Sequence, residues 1–229
     1  WSDAGQNVSP IPVDPVTGNH QARAEIAGVI LAGGRSRRMG GETKALLPLA
    51  GKPMLSHVID RVKPQVAQLS LSVEYPSDSF DGFGLQQLPD RKPGGGPLGG
   101  LLAALQWMDP DHDWLLLVPC DAPFLPAGLA QQLHESAVES GLAGALVRYE
   151  AEIQPTFSLW HRSILPILEH AVAERGLAGF KQFLREVRLA ECDWPPSSPP
   201  PFFNINDQEA LLKAGQMITE IKEKPACSA

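Results

Sequence analysis

Between Gly33 and Pro53 the chain sets five cations, Arg35, Arg37, Arg38, Lys44 and Lys52, against the single acid Glu42, although its formal net charge is -7. A local reversal of sign concentrates an anionic ligand at one place without making the whole surface attractive to nucleic acid. Gly33, Gly34, Gly40 and Gly41 lie among these cations. Glycine lets a ligand approach the backbone, so amide N–H groups there can grip a base or a phosphate oxygen. A second group stands far downstream, where Pro119-Cys120-Asp121-Ala122-Pro123 presents one carboxylate between two prolines. A hard cation such as Mg²⁺ takes oxygen ligands, often one or two carboxylates plus substrate phosphates, and Asp121 meets that demand. Cys120 is a soft ligand that does not suit magnesium, and alternation along a strand points it away from Asp121. A turn aspartate that only bonds its own backbone has the same spelling.

Other chemistries are excluded by spelling. A phosphate-binding Walker loop needs Gly-Lys-Ser/Thr opening a helix, whereas Lys44 follows Thr43 and Gly51-Lys52 is followed by Pro53. The dinucleotide fingerprint Gly-x-Gly-x-x-Gly fails because Gly33 and Gly34 are adjacent. The three cysteines, Cys120, Cys192 and Cys227, are odd in number and widely spaced, against both a disulfide framework and a zinc site.

Two apolar runs must deliver these groups. Ile26–Leu31 breaks abruptly into the basic loop, and Trp114–Val118, the most hydrophobic stretch, ends at Asp121. Both read as parallel strands covered on two faces, with their carboxyl ends at the crevice where open α/β sheets bind ligands. Pro53 at a first helical position opens a helix through Met54, Leu55, Val58, Ile59 and Val62, in which His57 is a structural residue. Leu69–Val73 and Leu85–Leu88 read as strands, and Leu101, Leu102, Leu105 and Met108 as a helix after the glycine-rich stretch Pro89 to Gly100. Pro126 begins a helix through Leu129, Leu133 and Val138, Gly144–Val147 is a strand, and Ile153–Trp160 can pair with it. Short amphipathic helices follow at Ile164–Val172 and Phe180–Val187, the latter with Lys181, Arg185 and Arg188 on a solvated or an acceptor-facing side. A proline-rich linker, Trp194 to Pro201, leads to Phe202-Phe203-Asn204-Ile205-Asn206-Asp207, where Asn206 or Asp207 can cap a last helix. Residues 1–25 read as a mobile extension, 26–220 as one domain of ordinary composition, and 221–229 as a frayed tail. No apolar run has bilayer length and no secretion signal is spelled, which predicts a soluble cytoplasmic protein without a membrane partner.

The run Leu31-Ala32-Gly33-Gly34-Arg35-Ser36-Arg37-Arg38-Met39-Gly40-Gly41, with Lys44 and then Gly51-Lys52-Pro53, resembles the signature of the nucleotidylyltransferases. Within them it is most similar to the molybdenum cofactor guanylyltransferases. The resemblance implies an α/β, Rossmann-like nucleotidyltransferase three-layer sandwich with a mostly parallel twisted sheet. It implies transfer of GMP from GTP to molybdopterin, with Mg²⁺ as cofactor and pyrophosphate released. Leu31, Ala32, Gly33 and Gly34 would read the guanine, and Arg38 and Lys44 would hold the triphosphate. Asp90 would contact the nucleotide, with Gly96 to Gly100 closing over it. Asp121, in the family's Pro-Cys-Asp-x-Pro, would hold the metal and act with Arg38 and Lys44 in catalysis. Gln154-Pro155-Thr156 would flank the acceptor pocket, and Asn204 and Asn206 would bind the acceptor. Ser72 stands where the family carries an asparagine on the nucleotide. Such a role implies passing contact with molybdoenzyme maturation proteins and none with nucleic acid. Related cytidylyltransferases usually spell Leu-Ala-Ala-Gly, so Gly33 favours a purine. A cytidylyl or sugar-phosphate transferase on the same scaffold, or a non-catalytic nucleotide-binding adaptor, are the alternatives.

Overall fold

A computed structural model describes residues 26–33, 43–90 and 95–223. The expectations placed on the extension 1–25, on Gly34 and Arg38 in the basic loop, and on the last six residues lie outside the described residues. The apolar runs form the middle of a seven-stranded sheet. Strand β1 (Ile26–Leu31) is followed by a two-stranded hairpin, β2 (Pro48–Leu49) and β3 (Lys52–Pro53), and then by β4 (Gln68–Val73) and β5 (Gln86–Pro89). Next come β6 (Trp114–Pro119), β7 (Gly144–Tyr149), β8 (Glu152–His161) and β9 (Ala190–Trp194). The order across the sheet is β5-β4-β1-β6-β8-β7-β9, and β8 alone among these strands runs against the rest. The mostly parallel α/β sandwich expected from the sequence is therefore the fold.

Side-chain alternation explains the layers. In β1, Ile26 and Ile30 enter one core while Ala27 and Val29 enter the other, and in β6 Trp114, Leu116 and Val118 are split from Leu115 and Leu117 in the same way. The first core is closed by α1 (Met54–Val62) and α3 (Leu129–Ser140). The second is closed by α2 (Gly96–Trp107), α4 (Leu165–Glu169) and α5 (Phe180–Phe183). A third, smaller core gathers Leu49, Met54, Phe124, Ile205, Ala214 and Ile218, the last two from α6 (Gln208–Glu223). It joins the hairpin, the turn after β6 and the C-terminal segment. Among the described residues no helix is long and apolar enough to cross a membrane.

The differences from the sequence expectations have local causes. The β2–β3 hairpin was not foreseen; its turn puts Ala50 at φ 49 and Gly51 at φ 90, the pair of positive values a tight hairpin needs. His57 on α1 bonds the Leu49 carbonyl at 2.8 Å through Nε2, which fastens this hairpin and fits the structural role expected of it. Pro53 is the residue before α1 and not its first, a shift of one position. Gly96 to Gly100 form the start of α2 where a closing segment was expected. A Cβ on Gly100 would lie 2.6 Å from Leu31 Cδ2, so glycine lets this helix sit directly on the sheet. Strand β9 is a five-residue edge strand in which Ala190, Cys192 and Trp194 alternate with Glu191 and Asp193; Arg148 holds Asp193 through bonds of 2.7 and 2.6 Å. The proline-rich stretch after it ends at Phe202, whose ring meets those of Tyr149, Phe157 and Trp194.

The close approach at Gly100 gives a direct test. Gly100→Val should destabilise the protein by about 1–3 kcal/mol in urea denaturation, the usual cost of overpacking. Gly215, in α6 with open space where its Cβ would go, should accept alanine with a gain of up to about 1 kcal/mol.

Candidate active site

Strand order and register bring the chemistry-bearing segments to one edge of the sheet. The first crossover carries the chain from β1 to β4 on one side, and a later one returns it to β6 on the other, so the topological switch lies between β1 and β6. Leu31 is level with both Ser72 and Pro119, and Val73 with Pro89. Beyond the strands the backbone stays zipped: Ala32 N–H donates to Ser72 O at 2.8 Å, Asp90 N–H to Val73 O at 2.9 Å, and Cys120 N–H to Leu31 O at 3.1 Å. The basic loop therefore leaves the sheet beside the Asp121 turn.

On the β6 side three sequence-predicted residues meet. The Lys44 ammonium, on the short turn that ends the basic loop, pairs with Oδ2 of Asp121 and donates to Oδ1 of Asn206 at 2.7 Å. The Lys44 and Asp121 side chains are only 13% and 14% exposed, so the pair is shielded from bulk water. Oδ1 of Asp121 is buried and has no hydrogen-bond partner among the described residues, and the same holds for Oδ1 of Asn204. Ile205, between the two asparagines, is fully buried, and its N–H donates to the Asp121 carbonyl at 3.0 Å. The helix cap falls to Asp207, which accepts from Ala210 N–H at 2.8 Å, leaving Asn206 for Lys44. Cys120 is buried in the first core, and burial pushes its thiol up to about 12. It is a packing residue, as strand alternation required.

On the β1–β4–β5 side stand Leu31, Ala32, Gly33, Ser72 and Asp90. A Cβ on Gly33 would lie 3.1 Å from the Glu74 amide nitrogen, so the missing side chain lets the end of β1 rest against β4. The buried Ser72 hydroxyl bonds the Asp90 carboxyl, whose Oδ1 is buried without a partner. Gly99 of α2 backs the carboxyl, its would-be Cβ 3.6 Å from Cγ. Lys181 and Arg185 have no described contact with the Lys44–Asp121 pair; Arg185 lines a separate hollow of about 300 Å³ with Leu146, Ile153 and Arg188. The bonds Ser72–Asp90 and Lys44–Asn206 had no local signal in the sequence, since each joins side chains brought together only by the sheet.

Three buried acceptor oxygens without donors at one sheet edge are uncommon, because buried polar atoms are normally paired. They suit a ligand that brings donors or a cation. Burial raises the Asp90 carboxyl to about 6, the Ser72 bond opposes the rise and the Glu74 charge adds to it. With the folded value above the ordinary 3.8, the folded protein binds the extra proton between these two values. Stability is therefore lost as pH rises through that window. Asp90→Asn should raise the melting temperature of the ligand-free protein at pH 8 and leave it unchanged near pH 4. An equal shift at both would show that burial of the charge is not the cause.

Residues 28–191 match the family model described as the MobA-like NTP transferase domain. The molybdenum cofactor guanylyltransferase of Rhodopseudomonas palustris (strain BisB5) is 35% identical over 190 residues, covering 81% of this chain and 90% of the relative. In fold, the chain is similar to the crystal structure of molybdopterin-guanine dinucleotide biosynthesis protein A from Archaeoglobus fulgidus. That likeness has a TM-score of 0.69 at 21% identity and covers 85% of this chain and 99% of that one. It is also similar to a Mycobacterium tuberculosis protein solved in complex with manganese, with a TM-score of 0.59 at 17% identity, covering 84% and 98%. With residues 28–191, most of the chain, matched by the domain and the curated relative matched over most of both chains, this protein belongs to the MobA-like NTP transferase family and is kin to the molybdenum cofactor guanylyltransferases.

Proposed function

We propose that the protein is a nucleotidyltransferase that moves GMP from GTP to molybdopterin, releasing pyrophosphate and forming molybdopterin guanine dinucleotide. The observation that carries this reading is the meeting of Lys44, Asp121 and Asn206 at the β1–β6 crevice, beside the basic loop. The sequence kinship with a molybdenum cofactor guanylyltransferase supplies the substrates.

The attacking group is a terminal phosphate monoester, whose second pKa is about 6, so it is largely dianionic near neutrality and needs no general base. The site's tasks are to bring two anions together, to hold the attacking oxygen in line with the departing pyrophosphate, and to absorb charge as the bond to the α-phosphorus breaks. Lys44 supplies a fixed cation for the triphosphate, and Arg38 a second from the loop. The backbone of Leu31 to Gly34 and the Asp90 carboxyl hold the nucleoside end. Asn204 would take the acceptor, a reading supported by its buried, unpartnered carbonyl.

Asp121 fits a divalent cation: its Oδ1 is a buried, unpartnered hard donor. Among the described residues no three His, Cys, Asp or Glu gather into a cage. That leaves the donor set of one or two carboxylates completed by substrate phosphates that Mg²⁺ takes, and a structural neighbour was solved with manganese. Mg²⁺ bound there would neutralise phosphate charge.

The decisive assay is incubation with GTP, Mg²⁺ and molybdopterin, with mass analysis of the pterin; the guanine dinucleotide is expected, and CTP should support little turnover. A product formed better from CTP would move the chain to the cytidylyl branch. Lys44→Ala and Asp121→Ala should each lower the rate by at least about 100-fold, the scale seen when a transition-state charge contact is lost. Both should keep the wild-type circular-dichroism spectrum, and near-normal turnover by either would remove this site.

A further inference from the structure

The Asn-x-Asn segment holds two asparagines whose surroundings differ, and the difference assigns them separate work. Asn204 keeps a buried, unpartnered carbonyl, whereas Asn206 is exposed and its carbonyl accepts from the Lys44 ammonium at 2.7 Å. We propose that Asn206 is a positioning residue for the nucleotide, acting through Lys44, and is not a contact to the acceptor. This inference rests on the reading of Lys44 as the triphosphate cation.

An ammonium has three donors, and Asp121 and Asn206 take two of them, leaving one for a phosphate oxygen. The lysine stem is flexible and loses rotamer entropy when fixed, so two anchors on one ammonium prepare it for its ligand. Asn206 is a firm anchor because its neighbours are tied on both sides. Ile205 is fully buried with its N–H on the Asp121 carbonyl, and Asp207 caps α6. One short segment thus fixes the backbone of the Asp121 turn and the tip of Lys44 together. The residue type matters as much as the place. A neutral amide orients the ammonium and leaves its charge for the triphosphate, whereas a second carboxylate beside Asp121 would cancel it.

The test separates nucleotide from acceptor. Binding of GTP with Mg²⁺ and no acceptor would be measured calorimetrically on the full chain for wild type, Asn206→Ala, Asn206→Asp and Asn204→Ala, with melting temperature recorded for each. Asn206→Ala should weaken GTP binding about tenfold, the scale of one hydrogen bond to a charged group, with the KM for molybdopterin unchanged. Asn206→Asp, nearly the same in shape, should weaken GTP binding at least as much despite keeping an acceptor oxygen, and Asn204→Ala should leave it at the wild-type value. On the Lys44→Ala background, Asn206→Ala should have little further effect, and full additivity would overturn action through Lys44. Wild-type GTP binding by both Asn206 variants, or a rise in molybdopterin KM alone, would also overturn it. If the wild-type protein binds GTP but makes no pterin dinucleotide, the proposed reaction falls while the assignment of Asn206 is still decided by GTP binding.

Discussion

The parallel pairing of β1 with β6 is the constraint on which the site depends. These strands are far apart in the chain, and their lateral hydrogen bonds put Leu31 level with Pro119. Their residues are buried on both faces, so a slip by one position would exchange the two cores and is strongly disfavoured. The register therefore fixes where the basic loop leaves the sheet relative to Asp121. What the pairing cannot do is orient side chains beyond the strand ends. That falls to the third core, in which Leu49, Phe124 and Ile205 pack together and bring the hairpin after the loop, the Asp121 turn and the C-terminal segment to a common point.

The two carboxylates of the crevice sit in contrasting surroundings. Asp121 has a lysine ammonium on one oxygen. Asp90 is partly buried with the acid Glu74 nearby, so its charge is costly, and the Ser72 hydroxyl offsets only part of that cost.

Much of the frame was legible in the sequence, for a physical reason. Runs such as Ile26–Leu31 and Trp114–Val118 are apolar throughout because both faces are covered, and their abrupt ends in glycine or proline mark the crevice. Strand β9 escaped notice because an edge strand needs only one apolar side, and Glu191 and Asp193 occupy the other. The glycines before Leu101 looked like a loop because glycine is a poor helix former; at Gly100 the close approach of α2 to Ser72 and Leu31 leaves no room for a side chain. The Lys44–Asn206 bond spans 162 residues, and no local pattern encodes a partner at that distance.

The same separation has a consequence for biosynthesis. Every strand of the sheet precedes Pro195, so the scaffold can be complete while the segment that steadies Lys44 is still emerging. A polypeptide released early, short of Ile205, would contain every strand of the sheet yet lack both the fastening of its cationic hook and half of the third core.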